Sequence, residues 1–347
     1  MRAVILAAGK STRTYPLTLT KPKPMLKAAN KPLLEHNLGA IKDFVSEAII
    51  VVGYKKEMIE AYFGSKYKSI KIKYVEQKEQ LGTAHAISLL EPHIKGKFLL
   101  LMGDDLYSKH DIKRCIKHDY SIMVAKTKNP QNFGVVVERN DVMEDLIEKP
   151  QHFVSDLIST ALYVLDRKIF ECIKKIEKSS RGEFELPDAV RLLSKKEKIR
   201  CVKSMNWISV GYPWDLLNAD ISLRKGKNSI GKNSKITGNA VNSSIGGNCI
   251  IKGSVKNSII MDNTIIEEKS SIENSVIGED VYFEGRIIAK DNAYSSVKGK
   301  KVPAGRLGAI IGDNTRIMNS TLSPGVKVWP DKTIISQKIK EDFYTRR

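Results

Sequence analysis

"LAAGKSTRTYPLTLTKPKPML", residues Leu6–Leu26, follows directly on the apolar run Ala3–Leu6 and decides how the amino-terminal half of the chain is read. Gly9-Lys10-Ser11-Thr12 has the ending of a P-loop, but that motif needs a glycine five positions earlier, where the chain has Val4 inside the apolar run. The stretch is therefore not a P-loop. It is a strand entering Ala7-Ala8-Gly9, a turn in which a missing side chain lets backbone N–H groups curl around a phosphate, followed by the cations Lys10, Arg13, Lys21 and Lys23. A tight strand-exit turn trailed by solvated lysines accounts for the same letters.

Outward from this stretch the chain has two textures. Up to about residue 200, apolar runs (Ala3–Leu6, Ala48–Val52, Ile70–Val75, Phe98–Met102, Ser121–Ala125) alternate with segments of helical spacing (Leu33–Phe44, Lys55–Phe63, Thr83–Leu90, Asp111–His118). That order predicts βα units on a mostly parallel, Rossmann-like sheet. After Asn228, aliphatic residues (Ile230, Ile236, Val241, Ile245, Ile250, Val255, Ile259, Ile265) return every five or six positions among Gly, Asn and Ser. This hexapeptide-like period predicts a parallel β-helix whose six-residue steps each turn one aliphatic side chain inward. A disordered Asn/Ser-rich tail would not keep supplying such residues. The junction falls in 222–230, giving expected domains 1–225 and 226–347, and the faltering period between Arg286 and Leu307 predicts an inserted loop.

The formal net charge of +19 favours anionic partners, but the lysines are scattered and no nucleic-acid-binding signature accompanies them, so a solvated basic surface is preferred over a polynucleotide site. No apolar stretch is long enough to span a bilayer and no signal peptide is recognisable, so a cytoplasmic protein without membrane partners is expected. Cys115, Cys172, Cys201 and Cys249 lack metal-site spacing and are read as reduced thiols. The six histidines form no ligand pattern; His36 and His85 are read as packing or polar-network residues.

Five ordered segments carry a family resemblance. Leu6-Ala-Ala-Gly-x-x-Thr-Arg-x-x-Pro-Leu-Thr-x-x-x-Pro-Lys-Pro-Met, continued by Asn30–His36, resembles the signature of the sugar-1-phosphate nucleotidylyltransferases. Gln77-x-x-Gln-Leu-Gly-Thr-Ala-His85 resembles the family's pyrimidine-type base-binding segment. Leu101–Asp104, Ile147–Pro150 and Trp207-x-x-Val-Gly-x-Pro-Trp-Asp215 complete the set. With the repeat behind them, the arrangement is similar to archaeal-type glucose-1-phosphate thymidylyltransferases and to bifunctional N-acetylglucosamine-1-phosphate uridylyltransferases, which implies that the β-helix is left-handed.

The resemblance implies UMP or dTMP transfer from UTP or dTTP to glucose-1-phosphate or N-acetylglucosamine-1-phosphate, with Mg2+ and release of pyrophosphate. A phosphate oxygen attacks, already ionised, so the chemistry needs cations to neutralise the transferring group rather than a strong base. By resemblance, Arg13 and Lys23 supply this charge and Leu6, Ala7, Ala8 and Gly9 approach the nucleotide. Gln77, Gly82 and Thr83 meet the base, Gly134, Glu148 and Lys149 bind the sugar phosphate, and Asp104 holds Mg2+. Thr83 would equally serve as a plain helix N-cap, and Asp105 as a solvated neighbour of Asp104.

The pattern also breaks. The family's second metal-binding aspartate falls at Ser209, and its sugar-binding Asn-Thr-Gly or Asn-Ala-Gly reads Ser159-Thr160-Ala161. Together these leave open a catalytically reduced paralogue acting as a nucleotide-sugar-binding regulatory or scaffold subunit. Leu307–Asn314 and Ser323–Val326 resemble acetyltransferase coils, but the catalytic histidine and tyrosine of those enzymes align with Glu268 and Ser271, and their asparagine falls near Asp291 or Asn292. Without an imidazole the usual general base is absent, so acetyl transfer is disfavoured and assembly, as a trimer or a dimer of trimers, is the expected role of the β-helix.

Overall fold

The computed structural model describes residues 1–344. Close contacts divide the chain into two compact units: residues 1–10 with 34–209, and residues 11–33 with everything from Val210 onward. This division differs from the expected boundary at 225/226, because residues 11–33 and 210–225 both cluster with the repeat unit.

In the first unit the apolar runs become β1 (Arg2–Ala7), β2 (Glu47–Val52), β3 (Ile70–Glu76) and β4 (Phe98–Met102), parallel neighbours in the order β3-β2-β1-β4. Beyond β4 the same ten-stranded sheet continues through β8 (Leu157–Leu165), β5 (Ser121–Lys126), β9 (Arg200–Lys203), β7 (Val142–Glu148) and β6 (Gly134–Arg139). There β8 runs antiparallel to both β4 and β5. Ala48–Val52 and Phe98–Leu101 are buried throughout, as strands covered on both faces must be.

The helices are shorter than their spacing predicts. Leu33–Ile41 stops before Phe44, Thr83–Ser88 before Leu90, and Lys56–Phe63 begins after Lys55, which adopts a left-handed φ of 51°. The helix expected over Asp111–His118 instead spans Lys109–Cys115, started by Ser108, whose Oγ accepts from the Asp111 amide at 3.0 Å.

The second unit contains the parallel coil predicted after Asn228. Ile245 pairs with Ile260, Ile260 with Ile277, Ile277 with Ile311 and Ile311 with Val328, forming one wall of the coil. The expected inward phase holds at Ile245 and Val255, which are fully buried in the core, but not throughout. Ile230, Val241 and Ile250 are exposed by 53%, 39% and 37%, whereas Ile251, Ile260, Ile266 and Ile272 are fully buried in the core. Adjacent residues of a strand point to opposite faces, so Ile251, Ile260 and Ile266, the second members of their doublets, turn inward, whereas at Ile334-Ile335 it is the first. The turns are also shorter than three six-residue steps, with successive coils offset by 15 and then 17 residues. The predicted insertion is an antiparallel hairpin, Lys290–Val297 paired with Lys300–Leu307.

Candidate functional site

Ligands of open α/β sheets gather where parallel strands end, and in the first unit those ends carry the motif residues. β1 delivers Ala8 and Gly9, β2 Gly53 and Tyr54, β3 Gln77, and β4 Gly103 and Asp104. Leu6, Ala7 and Ala8 are buried and Gly9 is exposed. The turn is fixed by its own carbonyls: Ala8 O accepts from the Tyr54 amide at 3.0 Å and from Gln80 Nε2 at 2.8 Å, and Leu6 O accepts from the Gly103 amide at 2.8 Å. Gln80, inside the quoted segment but given no role from sequence, therefore pins the turn.

Gln77 is buried, with Nε2 donating to Gly82 O at 3.0 Å and lying 3.2 Å from His85 Nδ1. His85 is thus a polar-network residue. Gly82 has φ +109°, and a Cβ there would lie 2.4 Å from Phe184 O. Main-chain bonds from Phe184 N to Leu81 O and from Ala84 N to Phe184 O, at 2.8 and 2.9 Å, lock this approach. Thr83 is not the N-cap. That position belongs to Gly82, and Thr83 Oγ1 instead accepts from the Leu186 amide at 2.9 Å.

Asp104 and Asp105 are half-buried after β4. Burial first, then the charges of Asp105 and Asp104, push the Tyr107 phenol well above its usual range. Ser209 Oγ reaches Asp105 Oδ1 at 3.4 Å, and Asn37 Nδ2 donates to Met102 O and Asp105 O at 3.1 and 2.7 Å. Among the described residues no group of three His, Cys, Asp or Glu side chains could hold a metal alone. Two adjacent half-exposed carboxylates do fit Mg2+, which keeps several waters and takes its remaining oxygens from substrate phosphates.

Gly134 and Glu148 face each other across β6 and β7. Glu148 Oε1 lies 3.1 Å from Arg181 Nη2 and 3.2 Å from Lys149 Nζ, while Arg181 also contacts Glu185 at 2.5 Å. Sequence gives no sign of the tie between Arg181 and Glu148, because the two lie 33 positions apart. Ser159 Oγ bonds the Tyr163 hydroxyl at 2.8 Å and accepts from the Ala161 amide at 3.0 Å, and Ala161 adopts φ 57°.

Arg13 and Lys23 belong to the second unit. Their loop folds on its own hydroxyls: Thr14 Oγ1 and Thr18 Oγ1 both donate to Ser11 O, at 2.7 and 2.9 Å. The Arg13 guanidinium stands 5.8 Å over the Tyr212 ring, which stacks on Trp214. Burial raises the Asp215 carboxyl above its usual range, against the opposing pull of the Tyr212 and Gly211 amides and of Lys23 and Arg13. Asp215 closes the fifth sequence match and received no role there. Lys21, one of the cations that follow the turn, is only 3% exposed and pairs with Asp313 at 2.8 Å and Glu279 at 3.0 Å.

Parallel strand ends carrying a glycine turn, the buried amide of Gln77 and two successive carboxylates, with a β-helix in the same chain, are the arrangement of a nucleotide-using α/β protein. The chain belongs to the nucleotidyl transferase family, whose profile matches residues 2–226, and a GMPPB C-terminal domain profile matches residues 223–343. It is 35% identical to the Bifunctional protein GlmU of Methanococcus vannielii, over 96% of this chain and 93% of that protein. To the GlmU of Methanocaldococcus jannaschii it is 42% identical over 63% of this chain, a match that spans only 53% of that protein. The UTP--glucose-1-phosphate uridylyltransferase AglF of Haloferax volcanii is 35% identical over 65% of this chain and 97% of its own. A crystal structure of UDP-glucose pyrophosphorylase complexed with UDP-glucose superposes with a TM-score of 0.59 at 25% identity, covering 65% of this chain and 99% of that one.

Proposed function

We propose that the chain transfers UMP or dTMP from UTP or dTTP to a hexose-1-phosphate, glucose-1-phosphate or N-acetylglucosamine-1-phosphate, releasing pyrophosphate. The observation that carries this reading is that the Ala8-Gly9 turn and the Asp104 carboxylate leave the ends of two directly hydrogen-bonded parallel strands, β1 and β4. A backbone phosphate cradle and a carboxylate suited to Mg2+ then share one sheet edge.

Gly9 approaches the triphosphate, and Gln77 with the Gly82-Thr83 backbone reads the pyrimidine edge, supported by a Gln77 amide already oriented by Gly82 and His85. Arg13 and Lys23 neutralise the charge growing on the α-phosphoryl group. Gly134, Glu148 and Lys149 receive the sugar phosphate, with Arg181 holding Glu148 in place. Asp104, assisted by Asp105, would hold Mg2+, which supplies charge neutralisation to the phosphates when bound. Assembly as a trimer through the β-helix belongs to the same reading.

Ser209 favours a second reading. Its neutral hydroxyl takes the position of the family's second metal carboxylate and touches Asp105, which suits a subunit that binds nucleotide sugar with reduced turnover. Pyrophosphate release measured across UTP, dTTP, GTP and ATP, each with a panel of sugar-1-phosphates and Mg2+, separates the two. Turnover with a pyrimidine pair supports the transferase, and tight nucleotide-sugar binding without turnover supports the binding subunit.

A further inference from the structure

Three carboxylates on successive coils form a column at one corner of the β-helix. Asp262 follows Ile260 by two positions, Glu279 follows Ile277 and Asp313 follows Ile311, and these three isoleucines are stacked in register. Two of the three are built alike. Asp262 Oδ1 accepts from the Gly247 amide at 3.0 Å, and Asp313 Oδ1 accepts from the Glu279 amide at 2.8 Å, so each is anchored to the preceding coil. Gly246 and Gly278 make the approach possible, since a Cβ at either would lie 2.5 or 2.4 Å from the carboxylate oxygen. The second oxygen of each carboxylate then points at the loop 11–33. Asp262 Oδ2 meets Lys27 Nζ at 2.5 Å, while Asp313 Oδ2 accepts from Thr20 Oγ1 at 2.6 Å and meets Lys21 Nζ at 2.8 Å. Glu279 bridges the two, 3.0 Å from Lys21 and 3.7 Å from Lys27.

Surface pairs of this kind contribute little, but Lys21 and Asp313 have side chains only 4% and 7% exposed. Removing one partner there leaves the other charge buried without compensation. Two residues of the same loop are the proposed triphosphate cations: Lys23 lies two positions after Lys21, and Arg13 precedes Thr20 by seven. We propose that Asp262, Glu279 and Asp313 are positioning residues: the β-helix holds the signature loop in its working conformation, and Lys21 is the tether rather than a phosphate ligand. The kinetic part of this inference rests on the transferase reading; the tether itself does not.

The test compares the full-length wild type with Asp313→Asn by amide hydrogen exchange and by steady-state pyrophosphate release. Exchange of the internally bonded amides of Leu19, Met25 and Leu26 is expected to rise about tenfold, with the coil amides of Ile260, Ile277 and Ile311 unchanged. Turnover per folded molecule, with the folded fraction measured separately, is expected to fall about tenfold while KM for the sugar phosphate moves less than twofold, the pattern of a lost transition-state interaction. Lys21→Arg should retain loop protection and Lys21→Met should lose it. Loop exchange that stays at the wild-type rate in folded Asp313→Asn overturns the proposal. If that variant does not fold, Asp262→Asn with Glu279→Gln, at less buried positions, decides by the same readouts. A wild type without turnover counts against the transferase reading alone, because the exchange comparison still decides the tether.

Discussion

The segment 77–84 and the loop 11–33 both carry family motifs, yet they are held by opposite means. The first is fixed by main-chain hydrogen bonds to Phe184 and by the absence of a side chain at Gly82. The second is fixed by lysine side chains on a column of carboxylates. Backbone locking tolerates almost no steric change, whereas side-chain tethering tolerates size and fails when charge is removed. The two segments should therefore break under different substitutions.

Gly82→Ala should have the largest effect. The backbone at this position, φ 109° and ψ 176°, lies in a region that essentially only glycine occupies, and the new Cβ would meet the Phe184 carbonyl. Strain and overpacking together should cost about 2–5 kcal/mol, read by urea unfolding. An unchanged midpoint would mean that Phe184 moves freely and that the segment is not backbone-locked. Arg13→Ala should behave in the opposite way. The side chain is exposed, so the fold and its unfolding midpoint should stay intact while turnover drops roughly a hundredfold. Near-normal turnover by a well-folded variant would remove Arg13 from the chemistry.

The contrast also explains what could be read in advance. Buried parallel strands are continuous apolar runs, so β1, β2 and β4 and the turns at their ends are legible in one pass. The doublets of the β-helix announce a repeat, but spacing alone does not say which isoleucine turns inward; Ile250 and Ile251 share the same letters and have opposite surroundings. The tie of Arg181 to Glu148 and the Asp262–Asp313 column are not legible, since their partners are brought close only by folding; at Asp215 the amide partners are local, and what sequence cannot show is its burial near Lys23 and Arg13. Lys21 is opaque in sequence for the same reason: beside Lys23 it is one more cation of a basic loop, and only the coils that meet it reveal the ion pairs.

Within the first unit, Ala161 offers a gentler backbone test. It holds φ 57°, a left-handed conformation that penalises a Cβ, where the family pattern has glycine. Ala161→Gly should relieve that strain, partly offset by the greater freedom of glycine in the unfolded chain, for a net gain of about 0.5 kcal/mol. A loss of stability would indicate that the Cβ makes packing contacts worth more than the strain.

The smallest effects should appear as pH dependence, and they differ in sign between the units. Asp111 and Asp215 are both carboxylates that accept backbone amides, Asp111 from Met205 and Asn206 and Asp215 from Gly211 and Tyr212. For Asp111, burial alone would raise the carboxyl, but the Asn206 and Met205 amides and two serine hydroxyls outweigh it and the group sits below its ordinary value of 3.8. Its stabilising contribution is therefore present above that value and is lost as pH falls through the lowered one. For Asp215 burial prevails, the carboxyl is raised above 3.8, and its contribution is fully present below 3.8 and declines as pH rises through the raised value. Asp111→Asn should thus cost more stability at pH 6 than near pH 3, whereas the cost of Asp215→Asn should shrink as pH rises above 3.8. Parallel slopes for the two variants in urea titrations would show that the amides around Asp215 compensate its burial as fully as those around Asp111.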